Sequence, residues 1–370
     1  MSGAFGGSYR GRKVLVTGHT GFKGSWLCLW LQTLGAEVTG LSFDVPSDPS
    51  HFGAIGLASD MNDVRGDIRD FGALQAAFGQ HRPEIVFHLA AQPLVRRAFL
   101  EPRETFEINV MGTVNVLEAA RLCPAVRAVV VATSDKAYRN VGWDWPYRES
   151  DPLGGHEPYA GSKACAELVA EVYRQRGFQS HAVPASNIAI ASARAGNVIG
   201  GGDWAQDRLV PDVVRAIKAG SDVTIRYPAA VRPWQHVLDC LAGYMQLAAR
   251  LADEPGKFEE AWNFGPVDPE PLPVAALVSR MLERWPGHAT RLVVDPGPPG
   301  KEAQMLRVDS SKAIRQLGWR PTWSTRAALE ASIAWYRADQ AGGDLRDISL
   351  RQIDEYQQAA QALGIEWARP

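Results

Sequence analysis

Three side chains near the middle of the chain are of types that could move a proton to and from a hydroxyl group. Tyr159 and Lys163 stand four residues apart in P-Y-A-G-S-K, so on a helix they share a face. A lysine ammonium near a phenol favours the phenolate, and we therefore expect a lowered pKa for Tyr159. Ser134 lies upstream and could hydrogen-bond the same hydroxyl. Such a phenolate could take the proton from an alcohol while hydride leaves the same carbon.

Two more ionisable residues follow Ser134 directly. The run V-V-V-A-T-S-D-K predicts a buried strand that delivers polar groups at its carboxyl end, where open α/β sheets bind ligands. Asp135 would need a raised pKa to act as an acid, and Lys136 a lowered one to act as a base. Lys136 could instead only stabilise negative charge or pair with Asp135. Thr133 is the alternative to Ser134, and the Tyr/Lys spacing alone also fits a solvated helix face.

A glycine-rich loop precedes these residues in the chain. The apolar run 13–17 leads into G-H-T-G-F-K-G, and a helical pattern follows. Gly18, Gly21 and Gly24 have the spacing that allows a tight turn, backbone approach to a diphosphate and close helix packing. Asp44 ends the next predicted strand, about 20 residues further on, where a carboxylate would bind the adenosine ribose. This favours NAD over NADP, although Asp44 could equally be a loop or capping residue in D-V-P-S-D.

The order of the elements predicts the fold. Apolar strands alternate with helical stretches of about a dozen residues or more, which predicts right-handed crossovers and a parallel sheet. We expect an α/β fold, with a doubly wound Rossmann sheet in residues 13–195 and a smaller, mainly C-terminal α+β substrate-binding lobe in residues 196–345. Residues 1–12 are glycine-rich, lack a signal-peptide pattern and are expected to be a flexible lead-in. Residues 346–370 form a polar amphipathic helix of unassigned role.

The composition is that of an ordinary globular protein. Its 370 residues are 46% hydrophobic and 22% charged, and the formal net charge of -2 gives no basic field for nucleic acid. No apolar run approaches the length of a membrane span. Four cysteines, Cys28, Cys123, Cys165 and Cys240, lie far apart without Cys/His pairing. We therefore expect no metal site, no disulfide and a cytoplasmic location with reduced thiols.

Together these motifs resemble the short-chain dehydrogenase/reductase superfamily, in its extended, nucleotide-sugar-modifying branch. The resemblance extends from about residue 12 to residue 336. The segments T-S-D-K, G-N-V-I-G-G-G-D-W and R-P-W-Q-H-V are most similar to the 4,6-dehydratases of this branch that act on CDP-D-glucose. Dehydratases for other nucleotide sugars carry an acidic pair where this chain has Asp135 and Lys136.

The resemblance implies an NAD-dependent dehydration of CDP-D-glucose to CDP-4-dehydro-6-deoxy-D-glucose. Oxidation at C4 acidifies the C5 proton, water leaves across C5 and C6, and hydride returns to C6, so no external reductant is consumed. The implied catalytic residues are Ser134, Tyr159 and Lys163 for the oxidation, Asp135 as the acid for the C6 hydroxyl, and Lys136 in removal of the C5 proton. A homodimer or tetramer, paired through helices in residues 101–122 and 159–177, and a place in deoxysugar synthesis for a lipopolysaccharide O-antigen are implied as well.

The same resemblance assigns binding residues. Those implied to hold NAD are Gly18, Thr20, Gly21, Phe22, Lys23, Gly24, Asp44, Asp67, Ile68, Leu89, Ala90, Ala91, Thr133, Tyr159 and Lys163. Those implied to hold the nucleotide sugar are Gln92, Asn197, Arg208, Leu209, Arg232 and Asn263, with Arg232 forking onto the diphosphate. Asn109 is expected to be structural and to tie its helix to a neighbouring strand.

Three other functions remain open from the sequence. The first is a dehydratase for dTDP-, UDP- or GDP-glucose, because the residues of a base-binding pocket are poorly legible from sequence. The second is a nucleotide-sugar 4-epimerase, for which Asp135 and Lys136 would be superfluous. The third is a non-catalytic NAD-binding sensor, which should lack one of Ser134, Tyr159 and Lys163, whereas all three are present.

Overall fold

A parallel sheet forms the centre of the protein, for which a computed structural model describes residues 3–175, 178, 187–266, 272–295 and 306–369. Its strands are β1 (Lys13–Thr17), β2 (Glu37–Ser42), β3 (Asn62–Arg65), β4 (Ile85–His88), β5 (Ala128–Ala132), β6 (Ala189–Ala195) and β10 (Ala261–Phe264). They pair in the order β3-β2-β1-β4-β5-β6-β10. Two small sheets pair β7 (Val198–Ile199) with β9 (Gln235–His236) and β8 (Val223–Ile225) with β11 (Leu292–Val294). The predicted doubly wound α/β fold is confirmed.

Helices cover both faces of the sheet. They are α1 (Phe22–Thr33), α2 (His51–Ala54), α3 (Phe71–His81), α4 (Val95–Leu100), α5 (Pro102–Phe106), α6 (Gly112–Leu122), α7 (Pro158–Arg174), α8 (Leu209–Ala219), α9 (Val237–Asp253), α10 (Val274–Glu283), α11 (Thr325–Gln340) and α12 (Leu345–Ala362). Successive residues of a strand point to opposite faces. Val14 and Val16 of β1 therefore join the cluster that contains α1 and α9, whereas Leu15 joins the one that contains α3 and α6.

The ends of three neighbouring strands define where a site can form. Thr17, the last residue of β1, pairs with His88, the last of β4, and His88 pairs with Val131 near the end of β5. The glycine loop, residues 89–91 and the T-S-D-K segment follow these three strands directly. The predicted binding and catalytic segments therefore share the carboxyl edge of the sheet, where α/β proteins hold their ligands.

The amino-terminal segment differs from the expected flexible lead-in over residues 3–12. Phe5 and Tyr9 are buried. The Tyr9 hydroxyl donates a hydrogen bond to the Met245 carbonyl of α9 at 2.6 Å, and the Phe5 ring stacks on Trp367 at 4.8 Å between ring centres. Two aromatic side chains within a glycine-rich stretch were the signal for a docked segment, because burying them removes a large apolar area from water.

The carboxyl-terminal helix covers a helix that is apolar all round. Every residue of α1 from Trp26 to Leu31 is buried, so α1 needs packing partners on the side away from the sheet as well. α12 and the 3-10 turn Glu366–Ala368 after it supply them: Tyr356 of α12 meets the Trp30 ring edge-to-face at 5.7 Å between centres, and Trp367 of the turn lies at 5.8 Å from the same ring. The role of residues 346–369, unassigned from the sequence, is to close this part of the core.

A buried carboxyl group joins α9 to the C-terminal helix. Asp239 Oδ1 accepts hydrogen bonds from the Thr322 amide at 2.7 Å and from the Tyr356 hydroxyl at 2.8 Å, while Oδ2 has no partner among the described residues. Burial raises the pKa of Asp239 from 3.8 to about 6. The folded protein therefore holds this proton more tightly than the unfolded chain does, and stability falls as the pH rises through this range.

Replacing this carboxyl should change how stability depends on pH. Because only the ionisation of Asp239 is removed, the free energy of unfolding of the wild type should fall relative to that of Asp239→Asn between about pH 4 and pH 6, by up to about 3 kcal/mol. Urea unfolding of both proteins across this range measures the difference. Glu355→Gln, which alters an exposed carboxyl on α12, is the control. Parallel pH profiles for the wild type and Asp239→Asn would contradict the assignment.

Candidate active site

The end of β5 carries three chemically useful side chains on one tight turn. Residues Asp135–Ala137 form a turn of 3-10 helix, which Ser134 caps. We call this turn, with Ser134, the catalytic turn. Ser134 Oγ accepts a hydrogen bond from the Lys136 amide at 3.2 Å and donates one to Asp135 Oδ1 at 3.0 Å. Ser134 and Asp135 are buried, whereas Lys136 is half-buried. Two adjacent ionisable residues therefore stand in different surroundings.

α7 brings Tyr159 and Lys163 to the same turn. Glu157 caps the helix and accepts a hydrogen bond from the Tyr159 amide at 2.7 Å. Hydrogen bonding with the Ser134 side chain lowers the pKa of the Tyr159 phenol in part, which places the two hydroxyls near each other. Lys163 is buried, and its ammonium donates to the Ala132 carbonyl at 3.3 Å. The structure thus collects the hydroxyl, the phenol and the ammonium that the spacing predicts to act together.

Thr133 is bonded to the neighbouring helix and strand. Its hydroxyl donates to Glu167 Oε1 and lies 3.4 Å from the Ala193 carbonyl oxygen. Of the two neighbouring hydroxyls, it is that of Ser134 that lowers the pKa of Tyr159. This favours Ser134 over Thr133 as the hydroxyl of the reaction, and the cofactor contact implied for Thr133 stays a prediction.

The electrostatics of the phenol differ from the expectation. Burial raises the pKa of Tyr159, although the hydrogen bond with Ser134 and the charge of Arg208 lower it in part. The ammonium of Lys163 bonds the Ala132 carbonyl, and burial, together with the charge of Lys23, lowers the pKa of Lys163 to about 8. At neutral pH both groups are thus mostly protonated, and the phenol must lose a proton before it can act as a base.

Asp135 has the electrostatic property that an acid requires. Burial raises the pKa of its carboxyl, although Lys136, the Ser134 hydrogen bond and Lys23 act in the opposite direction. A carboxyl with a raised pKa remains protonated further towards neutral pH than an exposed one. Its Oδ2 lies close to Gly196, where an added Cβ would stand 3.0 Å from it.

The glycine loop is a cradle of bare backbone. Gly18 has φ +78°, and a Cβ on it would stand 2.6 Å from the Ala90 nitrogen. A Cβ on Gly24 would stand 2.1 Å from the Gly18 oxygen, so α1 can approach the loop only with glycine there. α1 starts directly after Gly21, which places its unpaired amides at the loop. This arrangement suits a diphosphate, and the residues present therefore fit a dinucleotide.

The remaining residues predicted around the glycine loop differ in their exposure to solvent. Thr20 is buried and donates to the Asp44 carbonyl at 2.6 Å, which fixes the backbone of Asp44 while its side chain is exposed. Phe22 packs against Gly200. Lys23 extends towards the catalytic turn, with its Nζ 5.9 Å from the centre of the Tyr244 ring.

The segments after β3 and β4 border the same cradle. Asp67 is half-buried and accepts hydrogen bonds from its neighbour Arg69, at 2.9 Å from Nε. Ile68 is buried against Gly112. Residues 89–91 are half-buried and small after Leu89, so they leave space beside the loop.

Gln92 differs from its predicted role as a substrate contact. It is buried, its Nε2 donates to Thr105 Oγ1 at 2.9 Å, and its Oε1 accepts from the Leu94 amide at 2.6 Å. Its backbone is bonded to Asn109, which also donates to Ser162 Oγ at 2.9 Å. The polar groups of Gln92 are therefore used within the protein, and Asn109 has the structural position expected of it.

Asn263, predicted to contact the ribose, is also enclosed. Its Oδ1 accepts from the Tyr138 hydroxyl at 2.8 Å, and its Nδ2 donates to the carbonyls of Tyr147 and Asp309 at 2.9 and 3.2 Å. The residue is 0% exposed. Its amide holds the loop after the catalytic turn against the segment near residue 309, and the structure gives no ligand access to it.

The other four predicted substrate residues, Asn197, Arg208, Leu209 and Arg232, are half-buried and border solvent. The positive charge of Arg208 lowers the pKa of Tyr159 in part, and its guanidinium lies 3.6 Å from Asp203 Oδ2. The triple glycine of the G-N-V-I-G-G-G-D-W turn is buried instead of facing a ligand. A Cβ on Gly201 would stand 2.0 Å from the Trp335 ring, which shows that these glycines serve packing.

A buried ion pair beneath the turn was not predicted from the sequence. Glu167 and Arg194 are joined by two hydrogen bonds of 2.9 Å, and both side chains are almost completely buried. Glu167 follows Lys163 by four residues, so the spacing that linked Tyr159 to Lys163 could have placed it on the same helix face. Arg194 lies in a β6 sequence otherwise made of small and apolar residues, which also marks it as a buried, paired charge.

The described parts of the chain contain no group of three or more His, Cys, Asp or Glu placed to hold a metal ion. Across the same ranges, each helix is too short or too polar to pass through a bilayer.

Comparisons with known proteins agree with the motifs. Residues 15–331 match the family model described as GDP-mannose 4,6 dehydratase. A curated CDP-glucose 4,6-dehydratase of Salmonella typhimurium strain LT2 is 47% identical over 351 residues, which cover 95% of this chain and 98% of the relative. A UDP-glucose 4-epimerase of Halalkalibacterium halodurans is 28% identical and covers 89% of this chain and 97% of its own.

A solved structure shares the fold and contains a cofactor. DesIV, a dTDP-glucose 4,6-dehydratase of Streptomyces venezuelae crystallised with NAD and TYD bound, matches with a TM-score of 0.74 and 25% identity over 90% of this chain and 99% of that chain. The resemblance inferred from the motifs is confirmed, and the chain belongs to the GDP-mannose 4,6-dehydratase family.

Proposed function

We propose that this protein is an NAD-dependent CDP-D-glucose 4,6-dehydratase that forms CDP-4-dehydro-6-deoxy-D-glucose and water. The observation that carries the proposal is the Ser134–Tyr159 hydroxyl pair beside the buried acid Asp135, all at the end of β5. The hydroxyl pair suits oxidation of an alcohol, and the acid suits the expulsion of water. The Salmonella typhimurium relative, named for CDP-glucose, supports the nucleotide.

The cradle around Gly18 and Gly24 supports NAD as the cofactor. Its bare backbone and the start of α1 would hold the diphosphate, and the exposed carboxylate of Asp44 would bind the ribose and repel a 2'-phosphate. When bound, NAD supplies the acceptor for the C4 hydride and the source of the hydride that returns to C6. The DesIV structure, with NAD bound, supports this choice.

In the oxidation, Tyr159 takes the proton of the C4 hydroxyl. Ser134 orients that hydroxyl and stabilises the ionised phenol through their hydrogen bond. Lys163 keeps positive charge at the base of the site, and Arg208 adds a second cation that favours the phenolate. Because burial opposes ionisation of Tyr159, these partners are what allow it to act as a base near neutral pH.

In the elimination, Asp135 gives a proton to the departing C6 hydroxyl while the C5 proton is removed. The raised pKa of Asp135 supports its arrival in the protonated form. Lys136 is half-buried on the same turn and takes part in removing the C5 proton, either as the base or by stabilising the enolate. Hydride addition to C6 and reprotonation of C5 complete the reaction.

The wider setting is proposed on separate grounds. The four cysteines are free thiols in the structure, which supports a reducing, cytoplasmic location. The product class, a 4-keto-6-deoxy sugar, supports a place before further deoxygenation in the synthesis of a surface polysaccharide such as the O-antigen. The epimerase and sensor alternatives are weaker, since an epimerase has no use for the Asp135 environment and a sensor none for the assembled hydroxyl pair.

The substrate can be identified directly. Purified protein with NAD should convert CDP-glucose to a product lighter by one water, with kcat/KM at least about tenfold higher than for dTDP-, UDP- or GDP-glucose. Mass spectrometry and NMR of the products measure this, and in heavy water the product should carry deuterium at C5. An isomer of unchanged mass would indicate an epimerase, and a preference for another nucleotide would correct the substrate.

The two roles open to Lys136 can be separated by substitution. Lys136→Met should lower product formation by about 10²-fold or more, because both roles require the amine. Lys136→Arg keeps the positive charge but cannot accept a proton at neutral pH. Release of the C5 proton to solvent is measured for each variant. Normal release of the C5 proton in Lys136→Arg but not in Lys136→Met indicates that Lys136 stabilises the enolate. Slow release in both variants indicates that Lys136 is the base. Normal release in Lys136→Met would remove Lys136 from the mechanism.

An exposed apolar strip supports the proposed homodimer. Leu100 is 82% exposed, Met111 52%, and Leu168 and Val172 52% and 53%. These residues lie on the two implied pairing ranges or beside them, although residues 176–177 are outside the described part of the chain. A strip of this kind is typical of a surface that pairs with a second copy.

Charge placed in this strip should separate the subunits. Leu168→Asp should convert a dimer to a monomer in light scattering, because a carboxylate would be desolvated at the paired surface. Glu171→Gln, which changes a neighbouring exposed side chain of α7, should leave the assembly unchanged. A wild-type monomer, or a Leu168→Asp variant that still pairs, would contradict this interface.

A further inference from the structure

A single buried ion pair reaches both ends of the catalytic turn. The side chains of Glu167 and Arg194 are 2% and 4% exposed. Although burial opposes ionisation, the Arg194 guanidinium holds the pKa of Glu167 below its usual value. Buried ion pairs of this kind add little net stability compared with apolar packing. Their hydrogen bonds do, however, fix the geometry of every group attached to them.

The carboxylate end of the pair holds the start of the turn. Glu167 Oε1 accepts from the Thr133 hydroxyl, and the Thr133 amide donates to the Ala193 carbonyl at 2.9 Å. Thr133 is therefore fixed both to α7 and to β6. Ser134 is the next residue, so its position relative to Tyr159, on the same helix as Glu167, depends on this bond.

The guanidinium end holds the residue that follows the turn. Arg194 donates to the Tyr138 hydroxyl at 2.8 Å and to the Glu149 carbonyl at 3.2 Å, and it lies over the Tyr138 ring at 4.8 Å. Tyr138 in turn donates to Asn263. Asp135 and Lys136 stand between Ser134 and Tyr138, so the contact of Arg194 with Tyr138, here called the Arg194 arm, limits how far they can move. The bond between Glu167 and Thr133 is called the Glu167 arm.

We infer that Glu167 and Arg194 are positioning residues which clamp the segment 133–138 at its two ends, so that one turn serves two chemical steps. This inference rests on the proposed function. The Glu167 arm sets Ser134 against Tyr159 for the oxidation at C4. The Arg194 arm sets Asp135 and Lys136 against C5 and C6 for the elimination. Besides these two contacts, the turn is held by its own hydrogen bonds and by the one from the Gly154 amide to the Ala137 carbonyl, at 2.9 Å.

Two conservative substitutions loosen one arm each. Thr133→Val removes the hydroxyl bonded to Glu167, and Tyr138→Phe removes the hydroxyl bonded to Arg194 while keeping the ring. Ser192→Ala is the matched control, because Ser192 Oγ also donates to Glu167, at 2.6 Å, and is fully buried, but lies outside the turn. Thermal unfolding of all three variants verifies that they fold and compares their losses of stability.

Each of the two variants should slow a different chemical step. In a single turnover of CDP-glucose, Thr133→Val should form reduced nicotinamide about tenfold more slowly than the wild type, without accumulation. Tyr138→Phe should form reduced nicotinamide within about twofold of the wild-type rate but consume it about tenfold more slowly. Reduced nicotinamide should therefore accumulate and be seen by its absorbance. Ser192→Ala should stay within about twofold in both steps. Slowing of the same step in both variants, or in neither, would overturn the clamp.

A second measurement needs no substrate. Hydrogen exchange of a peptide covering residues 133–138, followed by mass spectrometry, should be faster in Thr133→Val and Tyr138→Phe than in the wild type and unchanged in Ser192→Ala. Unaltered exchange in the first two variants would overturn the inference. A wild-type protein that does not turn over CDP-glucose would contradict the proposed function instead, and the exchange result would still decide whether the clamp exists.

Discussion

Removal of ionisable groups from water at the end of β5 is the constraint on which the site depends. Burial raises the pKa of Asp135 and of Tyr159 and lowers that of Lys163. These three effects have one cause, since a low-dielectric environment always disfavours the charged form. For Asp135 this yields a proton to donate. For Tyr159 it is an obstacle, which the site offsets with the Ser134 hydroxyl and nearby cations.

The parts of this site that sequence could predict are those encoded by local spacing. The helix repeat places Tyr159 and Lys163 on one face, and the close contacts at Gly18 and Gly24 allow no side chain there. The bonds that Gln92, Thr133 and Asn263 make within the protein could not be predicted, for a different reason. Whether a polar side chain is free for a ligand depends on partners distant in sequence, such as Glu167 for Thr133 and Tyr138 for Asn263. Spacing carries no information about such partners.

The same limitation explains the ends of the chain. The glycines of residues 1–12 favoured flexibility, yet the packing of Phe5 and Tyr9 is decided by what α1 leaves uncovered. α1 is apolar on every side, and only a second layer, contributed by both chain termini, can bury its outer face. The positions of the termini are therefore consequences of one helix sequence that lies next to the glycine loop.

The pairing of a carboxyl and an amine on one turn raises the question of how adjacent residues can have different surroundings. In a 3-10 turn, neighbouring side chains diverge by about a third of a revolution, so they leave the backbone in different directions. Asp135 enters the protein beside Gly196, while Lys136 extends to the half-open side. The carboxyl is therefore desolvated and the amine remains hydrated in part. A single turn can in this way hold a desolvated carboxyl next to a half-buried amine, provided that both of its ends are fixed.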